Sequence, residues 1–199
     1  ELIKAKAAGI KITSSSDIFI SEMRANHPET TVIGVTGSKG KSTTSSLLYH
    51  GLNALGEDVA LCGNIGRPLI ELIDEKHKFV VCELSSYQCS DLSVSPQIVL
   101  FTNLFPEHID WHRSHDNYYR DKVHLVANQQ PGDICFVNDK CDKLKKYCSA
   151  YLLPYRYYNQ KEGFAEIDNV LCRNGKPLLH IEDVKLEGYH NLDNMAGVL

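Results

Sequence analysis

The 199-residue chain lacks any apolar run approaching the roughly 20 residues that a membrane span needs. It has no amino-terminal pattern of a basic stretch followed by an apolar one, so no signal peptide is read. It also lacks a basic excess. A net charge of -4 and a pI near 6.1 argue against nucleic acid as a main partner, because phosphate-backbone binders usually carry a basic surface. The one dense basic cluster, Lys143-Leu144-Lys145-Lys146, reads as a solvated helix face. The seven cysteines include no C-x-x-C pair and form no regular framework, which argues against a disulfide scaffold and for reduced thiols in a cytoplasm. Internal repeats and low-complexity segments are missing too. What remains, 43% hydrophobic and 23% charged, is an ordinary globular polypeptide with room for one large domain or a domain plus a fragment.

The stretch that organises the chain is Thr31-Val32-Ile33-Gly34-Val35-Thr36-Gly37-Ser38-Lys39-Gly40-Lys41-Ser42-Thr43-Thr44. It reads as a short apolar strand, a glycine-bearing loop and a helix start. Gly37 and Gly40 let backbone N–H groups turn inward, and the following helix aims its positive end at an anion. Lys41 would reach terminal phosphates and the Ser42 hydroxyl a Mg²⁺ ion. The strict G-x-x-x-x-G-K-[ST] pattern fails because Val35 stands five before Gly40; the form here is the shorter Thr-Gly-x-x-Gly-Lys-Ser.

Residues 1–30 read as the end of something: a helix closing at Gly9, a strand at Ile10-Lys11-Ile12, a short amphipathic segment from Asp17 to Arg24, then a linker at Asn26-His27-Pro28-Glu29. Beyond the loop, helical spacing runs from Lys41 to Leu55, with strands at Asp58–Leu61, Phe79–Cys82, Ile98–Phe101 and Ile134–Val137. Helices are expected at Leu69–Ile73, Asp116–Asn128 and Asp139–Tyr147. The alternation predicts an α/β fold, a mostly parallel sheet with helices on both faces, of the mononucleotide-binding phosphate-loop type. A hairpin about Asn174-Gly175, from Ile167–Cys172 to Leu178–Ile181, predicts a small antiparallel edge on that sheet.

Ligands of open α/β sheets bind outside the carboxyl ends of the strands. Four polar clusters fall there: the phosphate loop, Gly63-Asn64-Ile65-Gly66, Glu83-Leu84-Ser85-Ser86-Tyr87-Gln88, and Thr102 to His108. Glu83 is read either as an acidic Mg²⁺ ligand opposite Ser42 or as a helix cap. His108 could lend a nitrogen to a second ion, whereas His112 and His115 read as surface residues. Taken alone, Lys122 is a solvated helix lysine, and Asn191 and Asn194, spaced i,i+3, share a helix face or cap it.

Six ordered segments together, the phosphate loop, Gly63 to Gly66, Glu83 to Gln88, Pro106 to His112, Tyr119-Arg120-Asp121-Lys122 and Gly188 to Asn194, resemble the Mur ligase family from about Ala8 to Leu199. Within it, the likeness is to members that add D-glutamate to UDP-N-acetylmuramoyl-L-alanine. The resemblance implies three domains. Residues 1–29 would be the tail of a UDP-substrate domain and 30–199 the central ATP-binding domain, with the third domain missing and the isolated piece inactive. It implies ATP and two Mg²⁺ ions as cofactors and an acyl-phosphate intermediate in peptidoglycan (cell-wall) synthesis. The implied partners are a UDP-linked muramyl precursor and D-glutamate, with a monomer expected. Ser42 and Glu83 match the first magnesium site, His108 a ligand of the second, and Lys122 the lysine that the family carbamylates. Gly37, Ser38, Lys39, Gly40, Lys41, Ser42 and Thr43 match nucleotide contacts, Asn191 and Asn194 the adenine side, and Asn64, Ser85 and Gln88 substrate contacts. Lys41, His108 and Lys122 would be catalytic. Glu107 stands where many members have Asp, and Gly197 interrupts an alanine run. The alternatives are another Mur-type ligase with a different amino acid, a folylpolyglutamate synthase-like enzyme, or an ATP-binding module without chemistry.

Overall fold

A computed structural model describes residues 2–10, 12–151 and 155–199. In chain order the elements are α1 (Leu2–Ala7), α2 (Ser15–Asn26), β1 (Thr31–Thr36), α3 (Lys41–Ala54), β2 (Val59–Gly63), β3 (Phe79–Glu83), α4 (Ser86–Ser90), β4 (Ile98–Phe101), α5 (Ile109–His112), α6 (His115–Val123), β5 (Ile134–Asn138), α7 (Asp142–Cys148), β6 (Tyr155–Tyr158), β7 (Phe164–Ile167), β8 (Val170–Arg173), β9 (Lys176–His180) and α8 (His190–Val198). Short 3₁₀ turns cover Leu69–Leu72, His124–Val126 and Ile181–Asp183. Among the described residues, no helix is long and apolar enough to cross a membrane.

Six strands form one sheet in the order β2-β3-β1-β4-β5-β6, with every pairing parallel. The apolar runs follow from burial on both faces. Val32, Val80, Cys82, Val99, Phe101, Cys135 and Val137 enter one core with Phe19, Ile20 and Met23 of α2, Tyr118 of α6 and Leu144 of α7. Their neighbours Ile33, Val35, Val81 and Leu100 point the other way, against Leu48 and Leu52 of α3 and Leu192 and Ala196 of α8. The two-residue period of a strand therefore serves two cores at once. Ser14 caps α2 by accepting from the Asp17 amide, while Asp17 Oδ1 accepts from the Ser93 amide at 2.6 Å, and Arg24 pairs with Asp133 at 3.1 Å. α2 is thus fastened to the sheet.

Four details depart from the sequence reading. The antiparallel strands are not an edge of the main sheet but a separate three-stranded sheet, β7-β8-β9. It lays Leu171 and Leu179 on the α8 side of the core. The segment read as one strand over Ile167–Cys172 is two, because Asp168 and Asn169 both take positive φ and make a tight hairpin turn ahead of the expected one at Asn174-Gly175. β6 went unread; it pairs with β5 from Cys135↔Tyr155 to Asn138↔Tyr158. Of the strand expected at residues 10–12, Lys11 lies outside the described residues, and Ile10 and Ile12 are not in a strand.

Candidate active site

β1 is flanked by β3 on one side and β4 on the other, so connections diverge at its carboxyl end. That is where a crevice opens in such sheets. The loop leaving β1 occupies it, with Glu83 ending β3 on one flank and Thr102-Asn103 following β4 on the other.

Two glycines make the loop possible. Gly40 sits at φ +79° and caps α3, and a Cβ there would lie 2.5 Å from Asn194 Oδ1. Gly37, at φ +150°, is packed so closely that a Cβ would overlap Thr102 Oγ1. The loop is further tied down by β4's exit segment. The Ser38 amide donates to Asn103 O (3.1 Å), the Lys39 amide to Asn103 Oδ1 (2.8 Å), and Thr102 Oγ1 donates to Lys39 O (2.6 Å). Ser38 and Lys39 amides are therefore engaged, and the donors at the head of α3, Gly40 to Thr43, are those that a helix leaves for an anion. The buried Ser38 hydroxyl is structural as well: it donates to Phe105 O and lies 2.8 Å from Tyr118 Oη. Lys39 points away from the loop to Glu107 at 2.7 Å, and that carboxylate holds its ammonium above the usual lysine range. Lys41 Nζ donates to Ser38 O at 2.7 Å. Ser42 and Thr43 lie on the first turn of α3, Ser42 exposed.

A cavity of about 610 Å³ opens beside the loop, lined by Gly40, Thr43, Asn138, Lys140 and Asn194 among others. Asn194 borders it, while Asn191 stands behind: Asn194 Nδ2 donates to Asn191 Oδ1 at 3.0 Å and Asn191 Nδ2 to Glu187 O at 2.8 Å. Asn191 orients Asn194. Gly197 of the same helix meets the Tyr158 ring, where a Cβ would be 3.0 Å from it, which accounts for glycine at that place.

Glu83 is fully buried. Its Oε1 accepts from Asn64 Nδ2 at 3.1 Å, and its Oε2 is buried without a hydrogen-bond partner among the described residues. An unpartnered buried carboxylate oxygen is costly unless something meets it. With the Ser42 hydroxyl as a second hard oxygen donor, the donor chemistry fits a hard divalent cation such as Mg²⁺. Ser85 and Gln88 satisfy each other as a capping box at the head of α4. So the helix-cap role belongs to Ser85, not Glu83.

Lys122 is not solvated. It sits in the last turn of α6 with 1% of its surface exposed, its Nζ donating to Gly37 O (3.0 Å) and Thr36 Oγ1 (3.4 Å) and lying 5.3 Å from the Tyr118 ring centre. Burial lowers its pKa to about 8. His108, in a left-handed conformation at φ +52°, is exposed and faces the Tyr87 and Tyr118 rings at 5.4 and 6.4 Å. His108 and Lys122 thus flank the same tyrosine. Among the described residues, no three His, Cys, Asp or Glu side chains gather closely enough to hold a metal by themselves. His112, read as a surface residue, is buried between Asp121 and Ser86, whereas His115 is exposed as expected. The i,i+4 spacing from His108 carried no hint of that burial.

The family model of the Mur ligase middle domain matches residues 35–199. A UDP-N-acetylmuramoyl-L-alanine–L-glutamate ligase from Xanthomonas axonopodis pv. citri is 37% identical over 205 residues, covering 100% of this chain and 43% of that relative. The chain therefore spans less than half the length of this curated relative. The fold matches UDP-N-acetylmuramate:L-alanyl-gamma-D-glutamyl-meso-diaminopimelate ligase from Neisseria meningitides with a TM-score of 0.69 at 18% identity, over 99% of this chain and 67% of that one. It also matches MurF ligase from Thermotoga maritima in complex with ADP, with a TM-score of 0.65 at 18% identity, over 94% and 49%. With its loop, sheet order and the extent of these matches, the chain belongs to the Mur ligase family.

Proposed function

We propose that the protein containing this chain is an ATP-dependent ligase joining glutamate to the carboxyl group of UDP-N-acetylmuramoyl-L-alanine in peptidoglycan synthesis, and that residues 30–199 are its central ATP-binding domain. Residues 1–29 then end a preceding UDP-binding domain. The sequence pointed to D-glutamate, but the Xanthomonas relative is named for L-glutamate. The L enantiomer is accordingly the acceptor favoured here. A reduced, cytoplasmic monomer is the proposed state.

One observation carries this reading. The buried oxygen of Glu83 that has no partner among the described residues and the buried amine of Lys122 both sit at the root of one phosphate loop, Glu83 paired in register with Val35 and Lys122 donating to Gly37 O. The chemistry is phosphoryl transfer, in which positioning and charge neutralisation do most of the work. The amides of Gly40 to Thr43 and the Lys41 ammonium would hold the β- and γ-phosphates. Ser42 and Glu83 would hold one Mg²⁺, and His108 together with Lys122 a second. Bound there, the ions would neutralise charge gathering on the transferring phosphoryl group. Lys122, with its pKa near 8, keeps a useful fraction of neutral amine for carbamylation, which replaces a cation by an anion facing that second site. A substrate carboxylate oxygen attacks the γ-phosphorus and the bond to ADP breaks. The amine of glutamate then attacks the acyl phosphate, and phosphate and a proton leave. Asn194 and the cavity beside it would take the nucleoside. Asn64, Ser85 and Gln88 are proposed to reach the muramyl substrate, exchanging their present internal bonds for it.

The test is phosphate release by the full-length enzyme. It should require ATP, the UDP-linked precursor and glutamate together, with L preferred over D, and fall at least about 100-fold in Glu83→Gln. Release that ignores the amino acid would refute the ligase reading, and an equal response to a wholly different amino acid would replace glutamate.

A further inference from the structure

His112 is unused by the function proposed above, yet it is among the most constrained side chains in the molecule. Its Nδ1 is 2.6 Å from Asp121 Oδ2 and its Nε2 3.0 Å from Ser86 Oγ. One ring face stacks on Tyr87 at 5.5 Å and 19°, and Tyr118 meets it edge-on at 5.1 Å. The order serine, histidine, aspartate is that of an activated nucleophile. Ser86 and His112 are 2% and 3% exposed, however, so no substrate carbonyl can approach that hydroxyl.

What the relay does is join segments that the sequence keeps apart. Ser86 opens α4, three residues after Glu83. Asp121 precedes Lys122 on α6, and His112 closes α5, four residues after His108. Tyr118, packed on the imidazole, shares a 2.8 Å hydrogen bond with Ser38 of the phosphate loop and lies under the Lys122 amine. One imidazole therefore touches α4, which follows Glu83, and α6, which carries Lys122, and through Tyr118 reaches Ser38 of the phosphate loop. A helix of four residues such as α5 cannot hold itself in place, and the relay fixes it.

We propose that His112 is a positioning residue that, through Asp121 and Ser86, sets Lys122 and Glu83 relative to the phosphate loop. The proposal rests on the ligase reading for its effect on turnover, but not for its effect on Lys122 itself. Partners of this kind, once removed, cost roughly 10- to 100-fold in activity.

The experiment uses the full-length protein with His112→Gln, His112→Asn and, as a control on the neighbouring α7, Tyr147→Phe, which removes only a 2.6 Å bond to Asp116 of α6. Glutamine can keep the Ser86 contact and loses Asp121; asparagine keeps Asp121 and loses Ser86. Cyanate, a linear triatomic like carbon dioxide, adds to a neutral amine to give a carbamoyl group, and its rate at Lys122 against exposed Lys161 is read by mass spectrometry. In His112→Gln we expect that ratio to shift at least about threefold, and kcat to fall at least about 10-fold while KM for ATP stays within about twofold. His112→Asn should leave the labelling ratio near wild type with a smaller loss in kcat. An unchanged ratio in His112→Gln, or a kcat loss reproduced by Tyr147→Phe, overturns the proposal. A wild-type protein without glutamate-dependent phosphate release would refute the ligase reading only, since the labelling ratio still decides the role of His112.

Discussion

Burying the Lys122 ammonium costs free energy that its bonds to Gly37 O and Thr36 Oγ1 offset only in part, as the fall of its pKa from 10.5 to about 8 records. The folded state then binds fewer protons than the unfolded one between pH 8 and 10.5. The penalty is complete below pH 8 and fades as pH rises through that window, so this group makes stability increase with pH there. Between pH 8 and 9.5 the change is on the order of 1–2 kcal/mol. Urea unfolding of wild type and Lys122→Met should show it as a slope in the first that is missing in the second. Parallel curves would mean that Lys122 is not buried as a strained cation. For single residues, the type is written in the chain but the environment is not. Nothing in Tyr119-Arg120-Asp121-Lys122 says that the last member turns inward, because a helix lysine reads as solvated until the surfaces packed against that helix are known. The burial of His112 is hidden from the sequence for the same reason: its partners Ser86 and Asp121 are 26 and 9 residues away.

Among the elements, the phosphate loop was the most legible, since its geometry is set by glycine's freedom at φ values that other residues avoid. Gly40→Ala should destabilise the protein by about 1–2 kcal/mol for the left-handed backbone alone, and displace Asn194 from the cavity rim. Chemical denaturation measures the first effect, and calorimetric titration with ATP should show weaker binding as the second. Unaltered ATP affinity would remove Asn194 from the nucleotide site. The continuous apolar strands β3 and β4 were equally readable. β6 was not, because Tyr155-Arg156-Tyr157-Tyr158 is an edge strand whose middle residues face solvent. The hairpin turn at Asp168-Asn169 escaped because no glycine marks it, although both residues tolerate positive φ.

For the molecule as a whole, packing hides the thiols of the main sheet (Cys62, Cys82, Cys135), of the helices (Cys89, Cys148) and of the small sheet (Cys172) alike. All seven cysteines are free; six are buried and only Cys141 is partly exposed. Cys62 and Cys82 even meet across β2 and β3 at 3.3 Å, as neighbouring reduced thiols. An aromatic disulfide reagent should label about one thiol quickly in the native chain, at Cys141, and all seven after denaturation. Rapid labelling of several would contradict the packing described, and fewer than seven after denaturation would reveal a disulfide.

By itself the sequence determined the phosphate loop, the α/β alternation and the family, because strand burial and glycine-dependent turns are local properties written in consecutive residues. Only the tertiary structure decided which side chains meet. It engaged the Ser38 and Lys39 amides with Asn103, left one oxygen of Glu83 without a partner among the described residues, drew Lys122 beneath the loop, and closed the His112 relay. Those contacts span up to 86 residues of chain, and they exist because parallel strands bring their carboxyl ends to one rim whatever the distance between them in sequence.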